Sequence, residues 1–129
     1  MQIRDYLESI LDIISASPYV ESKSISVEER PPNAAYITGI LAFIHGSRLH
    51  FKEFIVCKSE AIIFLKYAYH YVTQDCALIF RYDNALDPKV KAMATYPEHK
   101  HLPDYLLPAE RPSMKDILNE IANLMEAEK

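Results

Sequence analysis

The chain has 129 residues, half of them apolar and a quarter charged, which fits a single globular domain over 1–129 and excludes a chain disordered throughout. No apolar run approaches the roughly 18 residues of a membrane helix. Arg4, Asp5 and Glu8 interrupt the first segment where a secretory signal would be apolar, so the expected setting is cytoplasmic with no membrane partner. The formal net charge is −4, made of three Lys/Arg against six Asp/Glu in 1–44, eight against six in 45–101 and three against six in 102–129; this excludes a generic basic nucleic-acid coat but leaves room for a local anion-binding face in the middle, where all five histidines also lie.

In chain order, Ile3, Tyr6, Leu7, Ile10, Leu11 and Ile14 recur at helical spacing and predict a first helix that Pro18 ends. Tyr19 to Arg30 is polar and weakly alternating, an exposed strand. Pro31-Pro32-Asn33 turns the chain into a strand from Ala35 to Ile44. His45-Gly46-Ser47 is a hairpin turn whose glycine tolerates positive φ. Arg48 to Cys57 alternates strictly, Lys58-Ser59-Glu60 turns, and Ile62 to Val72 is a long strand rich in Tyr, Ile and Phe. After Thr73-Gln74-Asp75, Ala77 to Asp83 is the last expected strand. Asn84 to Arg111 holds four of the eight prolines and reads as an irregular excursion. Ser113, with Asp116 three residues on, opens a final helix striped by Ile117, Leu118, Ile121, Leu124 and Met125. Short turns imply antiparallel neighbours. The expected fold is therefore α+β: a five-stranded antiparallel meander backed by N-terminal and C-terminal helices.

Alternation assigns faces. On one side lie Leu49, Phe51, Ile55 and Cys57, then Ile63, Leu65, Tyr67, Tyr69 and Tyr71, then Leu78, Phe80 and Tyr82. On the other lie Arg48, His50 and Lys52, then Lys66, Ala68 and His70, then Ile79, Arg81 and Asp83. If the helices cover the apolar side, the opposite side is a cationic face suited to phosphate, or simply the solvated side of the sheet. Glu53 shares parity with the apolar set, so it is expected to be buried and bonded to tyrosine hydroxyls, as a structural anchor or as a base or metal ligand.

His99-Lys100-His101 sits between Pro97 and Pro103. Residues two apart in an extended chain face the same way, so both imidazoles converge. Three readings stay open: a metal site completed by Asp83, Glu98 or His70, an acid–base pair for a phosphodiester, or a polar loop. Glycine occurs only at 39 and 46, so no phosphate-cradling glycine loop is present. Cys57 and Cys76 form no disulfide framework or zinc motif and are expected to be reduced.

The runs Gly46-Ser47-Arg48-Leu49-His50-Phe51-Lys52-Glu53-Phe54, Lys66-Tyr67-Ala68-Tyr69-His70-Tyr71, Leu78-Ile79-Phe80-Arg81-Tyr82-Asp83-Asn84-Ala85 and Pro97-Glu98-His99-Lys100-His101, in this order, resemble the TumE family. The resemblance covers most of 36–125. It implies the toxin half of a toxin–antitoxin pair, with a helix-turn-helix, TumA-like antitoxin as partner, and a functional set of Glu53, Tyr69, His70, Arg81, Asp83, His99 and His101. The chain departs from the family pattern at Asp87 to Ala94, which is lysine-bearing rather than His-rich.

Taken with the residue reading, the expected function is a small metal-independent ribonuclease with no cofactor. His70 and one of His99 or His101 would move protons, Arg81 would hold the phosphate with Lys66 or Lys100, and Asp83 would orient a histidine or pair with Arg81. Arg48, His50 and Lys52 would help bind RNA, while Glu53 and Tyr69 brace the strand from behind. The alternative is a non-catalytic module whose cationic face docks an acidic protein or RNA. The unpaired first strand is an edge open to a partner chain or to a second copy in a homodimer.

Overall fold

The computed structural model describes residues 2–128. Helix α1 (Ile3–Ser15) leads into strands β1 (Val20–Arg30), β2 (Ala34–Phe43), β3 (Arg48–Lys58), β4 (Ala61–Val72), β5 (Leu78–Asp83), β6 (His99–His101) and β7 (Leu106–Pro108), and helix α2 (Met114–Ala127) closes the chain. All seven strands form one antiparallel meander in sequence order. Among the described residues no helix is long and apolar enough to cross a membrane.

The expected α+β architecture with a helix at each end is present, but the sheet has seven strands, not five. The two extra strands come from the proline-rich stretch read as irregular. Each is only three residues long, too short for a periodic signal of its own, and each exists by pairing: His99 and His101 lie opposite Asp83 and Arg81, and Leu106–Pro108 then pairs with β6.

Both helices lie on one side of the sheet. Ile10 and Ile14 of α1 and Ile117, Ile121 and Met125 of α2 pack with Leu41, Leu49, Phe51, Ile55, Tyr69 and Phe80 in one buried cluster. The start of α2 is as expected: the Asp116 amide donates to Ser113 Oγ at 3.1 Å, and the Ser113 amide donates to the Asp116 carboxylate at 3.2 Å.

The expected facing of β4 needs one correction. Phe54 pairs with Lys66 but Ile55 pairs with Phe64, so Leu65 is an extra residue and a β-bulge. The bulge shifts parity by one. Ile62 and Phe64 turn to the core, and Ile63 and Leu65, expected there, are 39% and 48% exposed.

Gly39 is fixed by its neighbour across the ladder. The Phe51 ring lies over it, and a Cβ at position 39 would stand 2.5 Å from two ring carbons. Glu53 is completely buried on the helix side. Tyr6 of α1 donates to its Oε1 at 2.6 Å, and Tyr69 of β4 donates a short hydrogen bond to its Oε2. Arg111 donates to the Tyr69 hydroxyl at 2.9 Å and stands 3.9 Å from Glu53. One carboxylate thus ties α1, β3, β4 and the approach to α2. Burial raises its pKa, and the two tyrosines and Arg111 only partly offset this.

Two stability predictions follow from this packing. Gly39→Ala should cost about 1–3 kcal/mol in urea denaturation, because the buried Phe51 ring must shift to admit the new Cβ; unchanged stability would contradict that packing. For Glu53, a raised native pKa means that the folded state binds the proton more tightly than the unfolded state. Its cost is therefore fully present above the raised value and eases as pH falls toward the ordinary carboxylate range. The stability of the wild type relative to Glu53→Gln should rise on going from neutral to mildly acid pH, by no more than about 1.4 kcal/mol per pH unit. Parallel urea titrations check this, and a flat or opposite trend refutes it.

Candidate functional site

The side of the sheet away from the helices gathers most of the histidines and cations that the sequence singles out. Antiparallel register sets residues from successive strands directly opposite one another, and two neighbouring rows result. The first runs Ser24, Ile40, His50, His70, Arg81, His101 across β1 to β6. The second, two residues along each strand, runs Ser26, Thr38, Lys52, Ala68, Asp83, His99. The small residues Ser24, Ser26, Thr38 and Ala68 leave space between the larger ones. The result is a groove of ≈ 690 Å³ whose polar lining includes His50, Lys52, His70 and Arg81.

Within the groove, the rings of His50 and His70 have centroids 6.4 Å apart. The His70 pKa is lowered by partial burial first, then by the nearby Arg81 and His50 charges. The neutral imidazole, the form able to accept a proton, is therefore favoured. Its Nδ1 is buried and has no hydrogen-bond partner among the described residues.

At the β6 end, Asp83 organises the rows. Its Oδ2 accepts from Arg81 Nε at 2.7 Å, and its Oδ1 accepts from the Ala85 amide at 2.9 Å. His99 Nε2 lies 3.0 Å from Oδ1 and His101 Nε2 lies 3.5 Å from Oδ2. The two Nε2 atoms are 2.9 Å apart, and His99 Nδ1 donates to the Pro97 carbonyl at 2.7 Å. Asp83 and His99 are only 4% and 1% exposed, whereas His101 is half-buried. Burial alone would raise the Asp83 pKa, but the Ala85 amide, Arg81 and His99 outweigh it and hold the carboxyl below its usual value. Burial is also the largest influence on His101, whose pKa is lowered.

The structure thus brings His50, Lys52, His70, Arg81, Asp83, His99 and His101 together on one face. Arg48 and Lys66 stand on that face outside the groove lining. Lys100 does not join them: it pairs with Tyr82 on the helix side, where its Nζ donates to Glu120 at 2.7 Å and sits 4.8 Å from the Tyr82 ring centroid. Glu53 and Tyr69 are likewise behind the sheet. The contributions of Ser24, Ser26 and Thr38 to the groove were not anticipated, although their polar alternation was a readable signal. The roles of Tyr6 and Arg111 at Glu53 carried no local signal.

No curated protein and no solved structure matches the chain. The family model described as Toxin TumE matches residues 10–127, a span that contains the whole sheet, both rows and all of α2. The chain belongs to the TumE toxin family.

Proposed function

We propose that this toxin is a ribonuclease that engages the RNA backbone in the groove of the open sheet face. The observation that carries this reading is the row His50–His70–Arg81, three proton-transferring or anion-binding groups on adjacent strands lining one groove. Because Arg81 is tied to Asp83 through Nε, its outer nitrogens are oriented by that bond and can hold a phosphate, with Lys52 lining the same groove from β3. Neutral His70 would take the proton from a ribose 2′-hydroxyl as its oxygen attacks phosphorus. The departing 5′-oxygen would receive a proton from a second imidazole, leaving a cyclic phosphate. Of the histidines expected for that second role, His99 has both ring nitrogens engaged and is buried. His50, exposed and across the ladder from His70, is better placed. A toxin of this kind is paired with an antitoxin, for which a helix-turn-helix, TumA-like protein is proposed.

Expression in a bacterial host with mapping of RNA 5′ ends tests this. The wild type should arrest growth and create new, site-specific ends, and folded His70→Ala should lower cleavage by about 10²- to 10⁴-fold. Full cleavage by His70→Ala would refute the assignment of the base. Arrest without new ends would refute ribonuclease activity. In that case charge reversal at Arg48 and Lys52, which make no ion pair among the described residues, should abolish the effect if the face is a docking surface.

A further inference from the structure

We propose that Asp83, His99 and His101 form a binding site for one divalent transition-metal ion at the β6 end of the groove. The inference does not rest on the ribonuclease reading. It begins with a mismatch of hydrogen-bonding partners. The Pro97 carbonyl can only accept, so the proton of a neutral His99 is on Nδ1 and its Nε2 carries a lone pair. That lone pair faces an ionised carboxylate oxygen at 3.0 Å, which also only accepts, and the His101 Nε2 at 2.9 Å. A proton placed among these atoms can join one pair of them. A divalent cation can join all three.

The spacing suits a cation. Ligand atoms bound at about 2.0–2.1 Å to a metal such as zinc are about 3.3 Å apart on a tetrahedron. Here His99 Nε2 lies 2.9 Å from His101 Nε2 and 3.0 Å from Asp83 Oδ1, while His101 Nε2 lies 3.5 Å from the other carboxylate oxygen, Oδ2. Metal-binding imidazoles characteristically have the opposite ring N–H held by a carbonyl or carboxylate, and ligating carboxylates are themselves hydrogen-bonded. Both conditions are met, by Pro97 at His99 and by Arg81 and Ala85 at Asp83. Each Asp83 oxygen has one such bond and keeps a lone pair for the ion. Two imidazoles and one carboxylate select zinc, iron, cobalt, nickel or manganese over magnesium or calcium, which prefer oxygen ligands. His99 and Asp83 are buried while His101 is half-buried, so entry and any remaining coordination positions lie on the His101 side. Arg81, bonded to Asp83 and lining the groove, connects the two regions.

The test uses the full chain without a histidine tag, stripped with chelator and titrated with Zn²⁺ and Co²⁺ in the absence of RNA. The expected result is one equivalent bound, Co²⁺ d–d absorption bands and a higher unfolding temperature with metal. His101→Gln and Asp83→Asn should each weaken uptake at least tenfold, roughly the minimum effect seen even for groups that only support ligands. Should a change at buried Asp83 prevent folding, the half-buried His101 variant carries the test. Absence of stoichiometric uptake, uptake unchanged in His101→Gln, or equal uptake of Mg²⁺ would overturn the proposal. Since uptake is read without RNA, its failure is separate from failure of the cleavage experiment.

Discussion

The structure depends on strand register. Side chains alternate faces with a period of two, so a slip of one residue between any pair from β3 to β6 would turn a histidine or Arg81 out of the groove and into the core. Glu53 opposes such a slip from the other side of the sheet. A buried carboxylate is costly unless bonded, and here its two oxygens are satisfied by hydroxyls from α1 and β4. A shifted register would leave that charge buried without its partners. This penalty specifies one arrangement more strongly than apolar contact would, because apolar side chains tolerate exchange of neighbours.

The two faces divide the work. On the helix side, polar groups are paired inward: Glu53 with Tyr6, Tyr69 and Arg111, and Glu120 with Tyr82 and Lys100. These pairs hold helices to sheet and leave little free charge. On the open side the cationic and imidazole groups remain directed into a groove. Because stability comes from one face, the other can keep groups such as the unpartnered His70 Nδ1 that add nothing to it.

Asp83 links the groove to the histidine cluster. A single carboxylate orients Arg81, receives the Ala85 amide and faces both imidazoles of β6. The stretch after β5 thereby becomes part of the site. Arg81 and the two imidazoles of β6 thus share one carboxylate.

By itself the sequence determined the elements with long periods: both terminal helices, the first five strands, the capping box at Ser113 and the facing of His50, His70, Arg81 and Asp83. These are legible because apolar spacing records directly which side of an element meets the core. The burial of Glu53 was legible for the same reason, as a charge at an apolar parity. Tertiary structure decided the rest. β6 and β7 are too short to announce themselves and form only because β5 offers an unpaired edge. The bulge at Leu65 inverts a parity that the sequence states plainly, and Lys100, next to two site histidines, is carried to the opposite face by the strand it joins. The convergence of Asp83, His99 and His101 likewise rests on pairing between segments sixteen residues apart, a contact whose free energy appears only once both are held in one sheet.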